Sequence, residues 1–285
     1  MCAAARSAQG YCRTTTCSAD GAQCETDVDG CVRGGKPLAW PQGCTSFTML
    51  EGQFLAGIPR QTSRRIVTEA FSRWTTADCG GATPSISVAP TTQLSRCARP
   101  DYDEDAGNAN VWMFETKVWP YHEDALAVTV VTFDYDTGAI VDADVELNAT
   151  LKLTTQHDEV VYDLASIVQH ESGHFLGLSH SSVREATMWR RVERGSTDAR
   201  TLEADDTAAV CDAYPPERAV NTCDFSPRNG FSAECSEDTS CRAVAARPRT
   251  RAHGVASWAL LALVGALRSS RSRRRPIEIA RNGLR

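Results

Sequence analysis

The chain reads as a mixed α/β protein, and three observations predict that class. Short runs rich in β-branched and aromatic residues alternate with segments whose apolar residues recur at helical period, the pattern of helices packed on a mixed sheet. Two strand-like runs, 125–133 and 139–147, are separated by Asp134-Tyr-Asp-Thr-Gly138, a turn signal that makes them a hairpin. A length of 285 residues suits one globular domain with extensions, or two small domains.

The elements follow in order. Residues 1–36 are rich in Cys, Thr, Gly and Asp and lack periodicity, so they read as a small stapled extension. A globular pattern starts near Pro37, and residues 45–50 read as a strand. Residues 61–74 read as a helix, because Ile66, Val67, Ala70, Phe71 and Trp74 share one face, with Thr62 or Ser63 as N-cap. Residues 85–89 and 111–114 are short strands. In the second arm of the hairpin Val141, Val145 and Leu147 alternate with Asp142, Asp144 and Glu146, a half-buried strand whose acids face water. Asp163 then caps a helix running through His174, with Leu164, Ile167 and Val168 toward the core. Residues 204–214 form a last helix, stopped by Pro215-Pro216. The layout is an extension at 1–36, a domain at 37–216, a polar Cys-bearing linker or stalk at 217–253, and a tail at 254–285.

Composition excludes several classes. With 42% apolar and 23% charged residues the chain is neither fibrous nor wholly disordered. A net charge of −6 argues against a general nucleic-acid binder. That average hides a split, since residues 242–285 hold eleven Arg and one Glu on an otherwise acidic body. The tail also carries a 13-residue apolar run at 255–267, short of the ~20 a membrane span needs, followed by Arg268, Arg271 and three further arginines. One reading is a disordered or amphipathic tail. The other is a sorting signal that engages a membrane transiently, similar to the tripartite tails by which some Gram-negative bacteria sort surface proteins.

Twelve cysteines sit at the flanks, with none between residues 98 and 210. An even, clustered set reads as a disulfide framework formed in an oxidising compartment. The rival is a zinc knuckle at Cys12, Cys17, Cys24 and Cys31, whose spacings lack the CxxC pairs such sites favour. Cys79–Cys97 is the expected pair around one short segment. These cysteines imply export to the cell surface or beyond, although no apolar signal segment follows Met1; the expectation is that the address lies upstream or has been removed.

One motif carries the chemistry. Residues 170–180 read His-Glu-Ser-Gly-His-Phe-Leu-Gly-Leu-Ser-His. On a helix His170 and His174 project from one face and can hold one Zn²⁺. Glu171 stands beside them, placed to take a proton from water. Gly177 suits the turn that returns His180 as a third ligand. Three ligands leave a fourth position open, as in catalytic rather than closed structural sites. A chain of this length would show all five fixed positions by accident about once in 10⁵.

On these residues the chain resembles the metzincin metallopeptidases, and within them the matrixin-like branch that contains the matrix metalloproteinases. Ser181 follows the third histidine, and Ala186-Thr187-Met188-Trp189 looks like the Met-turn. Phe71-Ser-Arg-Trp74 is similar to the first matrixin helix, and Leu202-Glu-Ala-Asp205-Asp206 with Tyr214 to the last. The likeness covers about residues 37–215. It implies a twisted mixed sheet of about five strands with an antiparallel edge strand, an active-site helix and a C-terminal helix. It implies zinc on His170, His174 and His180, Glu171 as general base and then general acid, and Met188 as an apolar floor beneath the metal. Leu126, Ala127, Val128 and Thr129 would lie on the edge strand along which a protein or peptide substrate extends. The implied activity is that of an exported zinc metalloendopeptidase, expected as a monomer. Trp189-Arg190 stands where matrixins often carry Tyr-Pro, and no Pro-Arg-Cys-Gly cysteine switch is present, so neither the S1′ wall nor that route to latency carries over.

Weaker signals remain. Asp101, Asp103 and Asp105 crowd one loop, and Asp142 and Asp144 share a strand face; both invite Ca²⁺, but solvated acidic surfaces are the favoured reading. Asn148-Ala149-Thr150 fits a glycosylation sequon, and His122, His157 and His253 read as isolated surface residues. Two rivals to a broad protease are a binding module that keeps zinc for structure and a self-processing enzyme with one target.

Overall fold

The computed structural model describes residues 10–19, 24–53, 55–156, 160–219 and 223–236. His157, His253, Cys2, Cys241 and the apolar and arginine-rich tail lie outside them. No helix among the described residues is long and apolar enough to cross a membrane.

The sheet has five strands: β1 (Cys44–Met49), β2 (Ser87–Pro90), β3 (Val111–Glu115), β4 (Ala127–Phe133) and β5 (Ile140–Asn148). Their order is β2-β1-β3-β5-β4, so β4 lies at an edge. All neighbours are parallel except β4 and β5, the antiparallel hairpin expected from the Asp134–Gly138 turn. Pro90 closes β2, the other edge, where a missing N–H costs no ladder bond. A small second sheet joins β6 (Leu153–Thr154) to β7 (Tyr162–Asp163). Helices α1 (Arg60–Thr75), α2 (Leu164–Phe175) and α3 (Ala204–Ala213) complete the body.

Helix α1 buries the face its periodicity predicted: Ile66, Val67, Ala70, Phe71 and Trp74. Its N-cap is Pro59, not Thr62 or Ser63. The ring holds Pro59 at φ −60°, ready to enter a helix, and its carbonyl accepts from both Thr62 and Ser63 N–H within the first turn. Phe71 is the hub of the core. Its ring centroid lies 4.9 Å from Phe175 on α2, 5.3 Å from Phe47 on β1 and 5.9 Å from Trp112 on β3. Trp74 Nε1–H donates to Gln169 O at 2.9 Å, tying α1 to the middle of α2.

The outer face of the sheet departs from expectation. All nine residues of β5 are buried, including Asp142, Asp144 and Glu146. The alternation of the strand is real, but both faces are covered. Val111 N–H and Asp101 N–H donate to Asp144 at 2.7 and 3.0 Å, and Tyr121 OH donates to Glu146. Phe231 packs on a second apolar cluster of Leu50, Ala109, Val111 and Met113.

Phe231 belongs to a segment the sequence assigned to a linker. That assignment is corrected: residues 223–236 are bonded back to the sheet and its loops. Disulfides join Cys44 to Cys223 and Cys97 to Cys235. Arg96 N–H donates to Ala233 O at 2.6 Å, and Ser232 N–H to Asn108 O at 3.0 Å. The expected Cys79–Cys97 pair is likewise replaced, by Cys79–Cys211. Nothing local in the sequence signals partners this far apart. Cys12–Cys31 and Cys17–Cys24 staple the N-terminal segment and exclude a zinc knuckle there. The sequon residue Asn148 is buried and donates its Nδ2–H to Ala125 O at 3.1 Å, so the folded chain does not present it. His122 is on the surface as expected.

Candidate metal centre

Helix α2 presents the motif because its start and end are both fixed. Asp163 has extended dihedrals and accepts from Ser166 N–H and Ser166 Oγ–H, each at 2.8 Å. The Arg200 guanidinium reaches the same carboxylate, with Nε at 2.8 Å. The helix ends at Phe175, and Gly177 follows at φ +84°. A Cβ at Gly177 would stand 2.4 Å from Leu38 O, so both the dihedral and the packing exclude a side chain. That turn carries the chain back to His180.

The three histidines meet. One ring nitrogen from each of His170, His174 and His180 lies within 4.8 Å of the others, the only such group of three or more metal-binding side chains among the described residues. His170 Nδ1 is 2.7 Å from Thr187 O and His174 Nδ1 is 2.9 Å from Leu178 O. A carbonyl can only accept, so both Nδ1 atoms carry the proton and both Nε2 atoms keep a lone pair. Those Nε2 atoms are 3.0 Å apart. His180 Nε2 is buried with no partner. Burial holds all three imidazoles below their usual range, His174 at about 4, which keeps them neutral. For His180, the charges of His174 and Arg190 act in the same direction. Three neutral imidazoles with an orphaned ring nitrogen among them are a donor set that fits zinc.

Glu171 is buried beside them. Its Oε2 accepts from Thr129 Oγ1–H at 2.5 Å, while Oε1 has no partner. Burial lifts its carboxyl to about 7, against the opposing pull of the Thr129 hydrogen bond. Met188 lies under helix α2, 1% exposed. A Cβ on Gly173 would come within 2.3 Å of its Sδ, so the small residue between the two motif histidines is what lets the sulfur approach. Asp206 on α3 holds the Met188 turn from below, accepting from Thr187 and Met188 N–H at 2.7 and 3.0 Å. Asp205 accepts from Ser181 Oγ–H at 2.7 Å.

The remaining expected site residues fall differently. Leu126, Ala127, Val128 and Thr129 are each buried, so their side chains form core and site wall rather than open pockets. Thr129 points at Glu171, a role its sequence position did not reveal. Asp101, Asp103 and Asp105 do not converge with Asp142 and Asp144 into a group of metal-binding size. Asp101 accepts from Ser236 N–H and Oγ–H, and Asp103 from Asp105 N–H, so the loop acids shape the loop. Asp142 and Asp144 are buried rather than solvated, which corrects the favoured surface reading. Beside the Met188 turn a cleft of about 550 Å³ is lined by Ser166, Thr187, Trp189, Val192, Thr197 and Thr201.

Comparison with known proteins shows what this mixed α/β fold with its three-histidine centre and adjacent carboxylate is similar to. The family model described as Matrixin matches residues 119–215, which include β4, α2, all three histidines, the Met188 turn and α3. A stretch of 58 residues is 45% identical to Metalloendoproteinase 1-MMP of Arabidopsis thaliana. That stretch spans 20% of this chain and 16% of the plant protein. The five-stranded sheet with one antiparallel pair and three helices accords with the matrixin fold.

Proposed function

We propose that the chain is an exported zinc-dependent metalloendopeptidase that cleaves peptide bonds within proteins. The observation that carries this reading is the convergence of three neutral imidazoles beside a buried glutamate with one free oxygen. His170, His174 and His180 would hold the zinc, which when bound acidifies water and polarises a scissile carbonyl.

The chain's own groups do the rest. Glu171 takes the proton of the attacking water at Oε1, since Oε2 is engaged by Thr129. It then delivers that proton to the leaving amine nitrogen, so the carboxylate ends the cycle as it began. Burial of Glu171 supports both halves, because a carboxyl near neutrality exchanges a proton in either direction. Edge strand β4 lies next to Glu171 through Thr129, and in this proposal an extended polypeptide would pair with its backbone. Met188 and Asp206 hold the floor. The five disulfides among the described residues support the reading of export. The body acts as a monomer in this proposal, and the apolar and arginine-rich tail engages a membrane transiently during sorting.

The test is hydrolysis of a quenched-fluorescent peptide library by the full chain, as wild type and Glu171→Gln, each with and without chelator. Cleavage that chelator abolishes and Glu171→Gln lacks is the expected result. A folded, zinc-loaded wild type that cleaves nothing would overturn it in favour of a binding module.

A further inference from the structure

The rings of His170 and His174 are each held by a backbone carbonyl. The ring of His180 has no hydrogen-bond partner among the described residues, and its Nε2 is orphaned. Its ring packs against those of His170 and His174, with centroids 5.2 and 4.9 Å away, and what brings it there is the backbone of residues 177–182. On one side that backbone is held by the Met188 turn, through Ser181 N–H to Met188 O at 2.8 Å. On the other side it is held by the N-terminal segment.

Residues 10–16 run antiparallel to it, with Arg13 opposite Leu178. Thr14 N–H donates to Gly177 O at 3.1 Å, Ser179 N–H to Cys12 O at 2.9 Å, and Ser182 N–H to Gly10 O at 2.9 Å. Thr14 Oγ1–H donates to Leu178 O at 3.1 Å, the same carbonyl that holds the His174 ring. The segment is itself anchored. Leu38 N–H donates to Thr14 O at 2.8 Å, and Cys12 is tied to Cys31 with both residues buried. This segment also lies outside the residues that match the matrixin model.

We propose that residues 10–16, locked by Cys12–Cys31, are a positioning element for the metal centre: they fix the loop that carries His180 and so set how tightly zinc is retained. The proposal rests on the reading of the three histidines as a zinc site. Thr14 is a positioning residue within it, acting on His174 through Leu178 O and on His180 through the loop. The unusual part is that a disulfide, rather than a hydrogen bond to the ring, stands behind the third ligand.

The experiment measures zinc release from the purified, zinc-loaded full chain into a chromogenic chelator, independently of peptidase activity. Loss of outer-shell partners typically weakens metal sites about 10- to 100-fold, so Cys12→Ser with Cys31→Ser is expected to release zinc at least about 10-fold faster than wild type. Thr14→Val should show a smaller acceleration that Thr14→Ser restores. Cys97→Ser with Cys235→Ser, which cuts a staple on the outer face of the sheet, should leave the rate within about 2-fold of wild type. Thr14→Val serves where the double cysteine variant does not fold. Wild-type release rates in folded Thr14→Val and Cys12→Ser/Cys31→Ser overturn the proposal while leaving the zinc site in place. Equal acceleration in the outer-face variant overturns it too, as a general loosening. A wild type that takes up no zinc overturns the metal reading itself.

Discussion

Thr129 Oγ1–H donates to Glu171 Oε2 at 2.5 Å, and neither side chain is exposed beyond 2%. One oxygen of the carboxylate is thereby occupied and the other left for chemistry. Thr129→Val keeps the shape and removes the donor. The expected outcome is a kcat lower by about 10-fold with KM little changed, and recovery in Thr129→Ser, read from steady-state kinetics. The hydrogen bond pulls the Glu171 carboxyl down against burial. Its loss should move the acidic limb of the pH–rate profile to higher pH.

Gly173 and Met188 form a second tight pair. Gly173→Ala would set a Cβ 2.3 Å from Met188 Sδ and 3.0 Å from Trp74 Cζ2. Overpacking of this kind costs about 1–3 kcal/mol, so thermal melting should fall measurably. Met188→Leu conserves volume and should cost less than about 1.5 kcal/mol. A Gly173→Ala variant as stable as wild type would show that the sulfur is free to move away.

Asp142 and Asp144 give the protein a pH-dependent stability. Burial and the neighbouring acid raise the Asp142 carboxyl well above its usual range, and burial raises Asp144 to about 7. Both groups bind their proton more readily folded than unfolded. The contribution of each is therefore complete below the ordinary aspartate range near 3.8 and is lost as pH rises through its raised folded value, about 7 for Asp144. Asp142→Asn should melt higher than wild type at pH 8, and the gain should shrink toward pH 4. Calcium entering between the two acids would raise the wild-type melting temperature at pH 8 and leave Asp142→Asn unmoved.

Asp206 is the buried acceptor behind the Met188 turn, bonded to Thr187, Met188 and Glu203 N–H. Asp206→Ala leaves three donors without a partner and should cost about 2–4 kcal/mol in chemical denaturation. A loss under about 1 kcal/mol would mean that water takes the carboxylate's place.

The sequence is informative where local periodicity and chemistry agree. Helix α1 is legible because Ile66, Phe71 and Trp74 fall on one face. The three-histidine cluster is legible because His170, His174, Gly177 and His180 have one spacing that serves one geometry. Legibility stops where a property depends on distant chain. Asp142 and Asp144 alternate with valine and alanine as a solvated strand would, and nothing in that pattern announces that Asp101, some forty residues away, packs its backbone N–H against Asp144. Thr129 looks like an ordinary strand threonine until α2 sets Glu171 against it. The cysteine count predicts disulfides, but no local rule couples Cys79 to Cys211.

The same bridges bear on the fate of the molecule among proteases. Cys44–Cys223, Cys79–Cys211 and Cys97–Cys235 each cross the cysteine-free stretch from 98 to 210. A single cut anywhere in that stretch yields two polypeptides still joined by these three bridges. A nicked molecule would keep the mobility of an intact one on a non-reducing gel and separate into fragments only after reduction. Damage to an exposed loop thus becomes a scar rather than a break.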